Sequence, residues 1–453
     1  MATIIPFRGV LYNPAKVSDI SRVVAQPYDV IDAAFQKALH ARHPHNVIRL
    51  ELGLDEPCDS PEHNRYTRAA GLLKDWMAGG VLQRERAPAI YPYMIDYQSP
   101  LDAAGAPPGP WLRPEASVDA GAPSRTLKGF FSTVELEDFG TGKIYPHENT
   151  RAAAKTDRLN LLEACAANFS AIFSLFSDPK GAVVQLIDKS VNADKPRFEF
   201  TDDEGFRQRL WAITDRSVLK DIVDAVKSSP LFIADGHHRY ETALNYRRAR
   251  RERAGAATGP QPYDAVLMLF ASLEDPGLTV LPTHRVLTTP VPPLPDLTRL
   301  LGEACDIEEV PAKRFLQTLR SRGQTAPVFG MTLRGASSPL LLTVKPGHRP
   351  RAGASERDKL DVSLLQTLVM NKLCPKESDQ HALIYTKDDQ EAIDLVAQGK
   401  ATASLLLNPT KVGEVRAVAA AGERMPHKST YFFPKPLTGL VMNVMEEQRN
   451  VEL

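Results

Sequence analysis

Apolar residues occur along this chain in short blocks, whose spacing alternates between the patterns of strands and of helices. Strict alternation or a short apolar run predicts a strand, and apolar residues at every third or fourth position predict an amphipathic helix. The predicted strands are 46–50, 88–97, 128–136, 172–176, 263–271, 328–333, 339–344 and 403–407. The predicted helices are 66–76, 218–227, 362–373, 388–398 and 411–421. We expect strands 88–97 and 128–136 to pair, and the mixed succession of elements indicates an α+β (mixed α/β) fold.

One segment, LFIADGHHRYETAL at 231–244, combines a short apolar strand with a polar turn and the start of a helix. A strand that turns through glycine into a helix leaves backbone N–H groups at the helix N-terminus, where the helix dipole favours an anion. The histidines and the arginine that follow the turn add donors suited to phosphate. The segment therefore predicts a phosphate-binding strand–turn–helix, and a solvated connection is the alternative.

Three further segments place polar side chains beside predicted strands. The first contains His147 and Glu148, with Lys155 and Arg158 in the helix that follows. The second contains His284 and Arg285, and the third contains Lys428 and Ser429 in a polar turn. The His147–Glu148 pair fits a metal or acid–base pair, or equally a salt-bridged loop. A His-Arg pair at the end of a strand lies where open sheets tend to place ligand groups.

Two segments rich in proline suggest how the chain is divided. The segment TTPVPPLPDL at 288–297 predicts a linker between an N-terminal α+β domain, 1–287, and a C-terminal α/β domain, 298–453. Residues 99–124 are rich in proline, glycine and alanine, which predicts a mobile insertion between the two paired strands.

Composition narrows the classes of partner. The 453 residues contain 55 basic and 55 acidic side chains, so no overall charge attracts nucleic acid or an anionic membrane. No apolar stretch is long enough to span a bilayer, and the first residues do not form a secretory signal. Four cysteines lie far apart, which predicts neither a zinc site nor a disulfide framework and fits a cytoplasmic protein.

Six separated motifs occur in a fixed order: PFRG, QPYDVI, PHENT with KTDR, ADGHHRYETAL, LPTHR and MPHKSTYFFPK. Together they resemble a widespread bacterial family, domain of unknown function 1015, over nearly the whole chain. The family name implies no activity.

The motif DGHHRYETA also resembles the G-x-H-R strand–turn–helix of the ParB/sulfiredoxin superfamily, which includes the free serine kinases. That resemblance implies a nucleotide-binding core in which Gly236, His238 and Arg239 contact phosphate, while Asp235 and His237 line the turn. The reactive cysteine of sulfiredoxin is replaced here by His237, so we do not expect repair of peroxiredoxins, which requires a thiolate.

The resulting hypothesis is a phosphotransferase that uses ATP or ADP to phosphorylate a small hydroxyl metabolite, as a free serine kinase does. Phosphoryl transfer depends on positioning and charge neutralisation. The predicted catalytic residues are His147, Glu148, Asp235 and His237. Two of them, Asp235 and Glu148, would also bind Mg²⁺. The residues predicted to hold the substrate or stabilise charge are Lys155, Arg158, His284, Arg285, Lys428 and Ser429. The alternatives are a phosphohydrolase and a non-catalytic regulatory protein that binds nucleotide; DNA binding is not expected.

Overall fold

The computed structural model describes residues 2–99, 124–148, 152–191, 195–227, 229–255, 259–375 and 383–445. The predicted mobile insertion, 99–124, lies outside the described residues except at its two ends. Within the described part of the chain, no helix has the length and apolar character needed to cross a membrane.

The elements of the described residues confirm a mixed α/β fold. The strands are β1 (Ile4–Ile5), β2 (Val10–Tyr12), β3 (Leu82–Arg84), β4 (Tyr91–Gln98), β5 (Ser124–Glu135), β6 (Ile144–Tyr145), β7 (Ala167–Asn168), β8 (Ile172–Phe176), β9 (Phe198–Thr201), β10 (Arg207–Leu210), β11 (Leu231–Asp235), β12 (Ala265–Ser272), β13 (Thr279–Leu281), β14 (His284–Leu287), β15 (Cys305–Glu309), β16 (Val328–Leu333), β17 (Leu340–Val344), β18 (Ile384–Thr386), β19 (Ala403–Leu406), β20 (Tyr431–Phe433) and β21 (Asn443–Val444). The helices are α1 (Ala33–Arg42), α2 (Ile48–Glu51), α3 (Arg65–Ala78), α4 (Ala152–Cys165), α5 (Ala182–Val191), α6 (Arg216–Val226), α7 (His237–Ala254), α8 (Leu294–Leu301), α9 (Phe315–Arg322), α10 (Asp361–Leu365), α11 (Asn371–Leu373), α12 (Asp389–Ala397) and α13 (Val412–Ala420).

The larger sheet has the strand order β6-β11-β8-β12-β5-β4-β10-β9 among the described residues, with β1 beside β5. Strand β12 runs parallel to β8 and antiparallel to β5, so the sheet is mixed. The predicted pairing of 88–97 with 128–136 is confirmed, because β4 and β5 are antiparallel neighbours. The site-forming strand β11 lies between β6 and β8 near one edge.

The smaller sheet has the order β15-β17-β16-β19-β14-β18 in the part of the chain that is described, and its neighbours are antiparallel. Its strand β14 precedes the predicted linker 288–297. The C-terminal strands β20 and β21 pair in turn with β13 and β7. Strand pairing therefore crosses the predicted boundary in both directions, and the division at 288–297 stays a prediction.

The prediction of a strand at 46–50 is wrong, since residues 48–50 belong to helix α2 and no residue of this segment is in a strand. The side chain of Asn46 accepts a hydrogen bond from the backbone N–H of Ile48 at 2.9 Å, which favours a turn over an extended strand. Helix α3, by contrast, covers its predicted range. It begins after the capping side chain of Asn64, and such a cap stabilises a helix by about 1 kcal/mol.

Helix α7 is held in place from its buried side. The apolar residues of β11, Leu231 to Ala234, are buried, and Tyr240, Ala243 and Leu244 of α7 are buried as the spacing predicts. The hydroxyl of Tyr240 donates to the carbonyl oxygen of Glu137 at 2.8 Å. This packing fixes the N-terminus of α7 beside the end of β11.

Candidate functional site

The turn between β11 and α7 depends on the conformation of Gly236. Its φ of +94° lies in the left-handed region, which favours glycine. As the N-cap of the 18-residue helix α7, Gly236 has no side chain with which to cap the first N–H groups. A Cβ placed here would lie 3.0 Å from the guanidinium of Arg239. Glycine therefore allows the tight turn, and it leaves room for the side chain of Arg239 to fold back against the turn.

We expect Gly236→Ala to destabilise the fold by about 1–2 kcal/mol through left-handed strain and to displace Arg239. If the turn binds phosphate, as the sequence predicts, that binding should weaken as well. Gly80→Ala is the matched control, because Gly80 has a φ of +69° with no atom within 4 Å of the added Cβ. Urea unfolding and binding of ADP should be measured for both. Equal losses of both quantities would contradict a special role for the turn.

Asp235, at the end of β11, has both carboxylate oxygens engaged. Its Oδ1 accepts from Lys435 Nζ at 2.6 Å, and its Oδ2 accepts from Arg239 Nη2 at 2.6 Å. Burial alone would raise the pKa of Asp235, but these two cations hold the pKa of Asp235 well below its usual range. Asp235 is therefore an ionised structural acceptor at neutral pH.

Lys435 brings the C-terminal part of the chain to this turn. Its side chain is 6% exposed, and its ammonium group contacts Asp29 Oδ2 at 3.0 Å as well as Asp235. Burial opposes the charge, but the two carboxylates outweigh it and raise the pKa of Lys435 well above its usual value. Neither Asp29 nor Lys435 was among the predicted site residues, although both lie in the motifs QPYDVI and MPHKSTYFFPK.

His147 and His237 form a buried pair whose rings lie 4.6 Å apart. The Nδ1 of His147 donates to the carbonyl oxygen of Ile233 at 2.7 Å, which leaves Nε2 to accept from the Thr430 hydroxyl at 3.1 Å. The backbone N–H of His147 donates to His237 Nε2 at 3.2 Å. Burial lowers the pKa of His147 to about 4 and that of His237 well below its usual value. Both imidazoles are therefore neutral. Their hydrogen bonds hold the segment of His147 against β11 and the start of α7.

Glu148 lies beside this pair and is the carboxyl group best suited to proton transfer. Its Oε1 accepts from the backbone N–H of Ser429 at 3.3 Å. Burial raises the pKa of Glu148 from 4.5 to about 7, and Lys428 opposes that shift. A carboxyl group with a pKa near neutrality can accept a proton at physiological pH and release it again.

Lys428 differs from the other cations of the site. Within the described part of the chain it forms no hydrogen bond or ion pair, yet its charge acts on Glu148, Asp235 and His238. Its φ of +56° is left-handed, a conformation that costs a residue with a Cβ about 1 kcal/mol or more. Strained backbone held at a cluster of charged groups is typical of functional sites.

Two more predicted residues lie near the start of α7. Lys155 pairs with Glu241 at 2.9 Å, and His238 lies within electrostatic range of both. Burial lowers the pKa of His238, so this side chain is mainly neutral at physiological pH. Two separate sequence motifs therefore contribute side chains, Lys155 from one and His238 from the other, to one edge of a polar site.

Arg158 and His284, predicted to hold substrate, occupy buried positions with complete sets of partners. Arg158 is 5% exposed, bonds Glu51 and Asp157, and stacks on the ring of Tyr28 at 4.2 Å. The ring of His284 contacts Asp389 Oδ1 at 2.9 Å and accepts from the backbone of Leu407. These geometries favour roles in the core over contact with substrate.

Arg285 and Ser429 support the segment that carries Lys428. The buried guanidinium of Arg285 donates to the carbonyl oxygens of Thr283 and His427, and burial lowers the pKa of Arg285 to about 10. The hydroxyl of Ser429 donates to the carbonyl oxygen of Pro426. Both side chains are thus occupied with backbone partners.

The predicted magnesium ligands, Asp235 and Glu148, do not fit a metal ion held by the protein alone. Both oxygens of Asp235 already bind cations, and burial favours the neutral form of Glu148. Mg²⁺ prefers ionised oxygen ligands in near-octahedral geometry. Over the described residues, no group of three or more His, Cys, Asp or Glu side chains could hold a metal ion.

A family model described as "Protein of unknown function (DUF1015)" matches residues 4–104 and 115–363. The gap in this match lies inside the predicted insertion 99–124. No protein among the curated sequences matches the chain.

Several solved structures share a weak likeness. A conserved hypothetical protein from Pyrococcus furiosus is 13% identical with a TM-score of 0.34, covering 69% of this chain and 93% of its own. A free serine kinase in complex with AMP is 14% identical with a TM-score of 0.33, and the match covers 67% of this chain and 86% of the kinase. SbnI with a C-terminal truncation, from Staphylococcus aureus, is 12% identical with a TM-score of 0.36, and the match covers 71% of this chain and 90% of SbnI. Likenesses of this size say nothing about function.

Proposed function

We propose that this chain, which belongs to the DUF1015 family of proteins of unknown function, is a phosphotransferase that binds nucleotide phosphate at the N-terminus of α7. The observation that carries the proposal is Lys428, a cation on left-handed backbone with no partner among the described residues. It acts on the same groups that surround the turn after β11. Glu148, on which its charge acts, has a pKa of about 7 and is only partly ionised at neutral pH, so an anionic ligand would complete the counter-charge of Lys428.

The charges around the turn favour an anion over a cation. The carboxylates of Asp29 and Asp235 are balanced by Lys435 and Arg239. A second balanced pair, Lys155 with Glu241, flanks them. Beyond these pairs, the cations Lys428 and Arg285 both act on the single carboxyl group of Glu148, so positive charge is in excess there. The positive end of the α7 dipole adds to this excess, where a phosphate group would be stabilised.

Glu148 supplies the proton acceptor that transfer to a hydroxyl group requires. In the proposed step the hydroxyl oxygen of the metabolite attacks phosphorus, and its proton passes to a carboxylate oxygen of Glu148. The bond from phosphorus to the bridging oxygen breaks, and the departing nucleotide takes the electron pair. Lys428 lies within electrostatic range of Glu148, so it can stabilise charge on the transferred phosphoryl group.

Calorimetric titration of the full chain with ATP and ADP, followed by product analysis with a panel of hydroxy acids and hydroxy amino acids, tests this function. Binding together with formation of a phosphorylated product supports it. Release of inorganic phosphate without an acceptor would replace it by a phosphohydrolase. Binding without turnover would replace it by a regulatory role for the nucleotide, and absence of binding would refute the phosphate site itself.

Lys428→Ala is expected to weaken binding of ADP about 10- to 100-fold, because a charge-assisted hydrogen bond to phosphate is lost. Calorimetry measures this change. Lys74→Ala, at an exposed position of α3, is the control and should leave affinity unchanged.

Lys428→Gly separates ligand binding from backbone strain. Glycine accepts the left-handed φ, so this variant should be more stable than Lys428→Ala by about 1 kcal/mol while it binds ADP equally weakly. Wild-type affinity in either variant would remove Lys428 from the phosphate site.

A further inference from the structure

The ammonium group of Lys435 lies where two carboxylates from distant parts of the chain converge. Asp29 is 406 residues away along the sequence and Asp235 is 200 residues away, yet both contact the same nitrogen. Convergence of carboxylate oxygens from separate segments onto one point is the arrangement that proteins use to bind divalent cations. Here a side chain of the protein provides the cation.

The carboxylates are held by more than this one contact. The second oxygen of Asp235 is bound by Arg239, whose Nη1 also donates to the carbonyl oxygen of Ala171. Asp235 therefore cannot turn away to accept another ligand without breaking an ion pair. The ring of Tyr431 lies 4.9 Å from the ammonium of Lys435 and encloses it further.

The charge balance also opposes a metal ion at this position. Asp29 and Asp235 carry two negative charges, and Lys435 and Arg239 carry two positive charges. A divalent cation bound in addition would leave an uncompensated double charge in a largely buried cluster, which is unfavourable. A metal ion could enter only if the ammonium group of Lys435 left.

We propose that Lys435 is a built-in cation, which occupies the position of a divalent ion between Asp29 and Asp235 and so makes the site independent of a metal ion held by the protein. Lys435 is in this sense a positioning residue, since it fixes Asp235 and through it Arg239 beneath the turn of Gly236. The link to phosphate rests on the proposed function, but the exclusion of metal does not.

Titration of the full chain with Mn²⁺ in the absence of nucleotide, followed by electron paramagnetic resonance, tests this inference. Wild-type protein should show no specific Mn²⁺ site. Lys435→Met vacates the position between the two carboxylates and should bind Mn²⁺ with a dissociation constant on the order of 1 mM, at least about tenfold tighter than wild type. The double variant Lys435→Met with Asp29→Asn should lose the gained site.

The controls separate this effect from general loss of charge or structure. Lys387→Met removes another lysine beside the ring of Tyr431 and should gain no Mn²⁺ binding. Lys435→Arg restores a cation and should exclude Mn²⁺ as wild type does. Circular dichroism establishes that each variant is folded, and Lys435→Gln replaces Lys435→Met if the latter is not.

Two results would overturn the inference. One is a Mn²⁺ site in wild-type protein that Asp29→Asn removes, which can be tested even if every Lys435 variant fails to fold. The other is a folded Lys435→Met or Lys435→Gln variant, with both carboxylates intact, that does not bind Mn²⁺. Binding of ADP by wild type is measured separately, so failure of the proposed nucleotide function would be seen independently of the Mn²⁺ result.

Discussion

Replacing Arg158 by alanine is expected to lower the free energy of unfolding by about 3–5 kcal/mol, because it leaves a buried charge without its partner. Arg158 donates to Glu51 at 3.0 Å, and both side chains are 5% exposed. Its guanidinium also stacks on Tyr28 and pairs with Asp157. Equilibrium unfolding in urea, followed by circular dichroism, measures the loss.

Arg65→Ala is the matched control for this prediction. Arg65 pairs with the same carboxylate, Asp157, at 2.6 Å, but its side chain is 25% exposed. Solvent screens such a pair, so the expected loss is about 1 kcal/mol or less. If Arg158→Ala unfolds like wild type and instead loses affinity for substrate, the original interpretation of Arg158 as a substrate contact would be restored.

Local pattern predicted many of the elements and the pairing of 88–97 with 128–136, but not the pairing of strands that lie far apart in the chain. The helices 66–76 and 411–421 were found because their apolar spacing and end signals lie within a few residues. The error at 46–50 arose because a local hydrogen bond from the backbone N–H of Ile48 to the side chain of Asn46 favours a turn, although the residues alternate as in a strand. Nothing local indicates that β14 joins the smaller sheet or that β20 and β21 return to β13 and β7.

The sequence predicted only part of the candidate site, for a related reason. The turn at Gly236 carries its own signal, since glycine and clustered basic residues are adjacent in the chain. Lys435 stands alone between two prolines, and its meaning depends on Asp29, 406 residues away. Arg158 and His284 were interpreted as ligand contacts because the sequence does not show that distant carboxylates, Glu51 and Asp389, lie against them.

Glu148→Gln is expected to lower the rate of phosphoryl transfer about 10²- to 10⁴-fold while it leaves the affinity for ADP unchanged, because the amide cannot accept the proton of the substrate hydroxyl. The pH dependence gives an independent reading. Burial raises the pKa of Glu148 to about 7, so the proportion of ionised base grows as pH rises through that value. In wild-type protein kcat/KM should increase about tenfold per pH unit below pH 7 and level off above it.

Glu204→Gln is the matched control, since burial also raises the pKa of Glu204 to about 7. Glu204 lies on the turn between β9 and β10, and the largest opposing charge on it is Lys387, outside the proposed proton path. The pH profile of this variant should keep its midpoint near 7, whereas that of Glu148→Gln should lose it. A profile that loses its midpoint in neither variant would mean that another group accepts the proton, and the neutral imidazole of His238 beside Lys155 and Glu241 would be the next to replace.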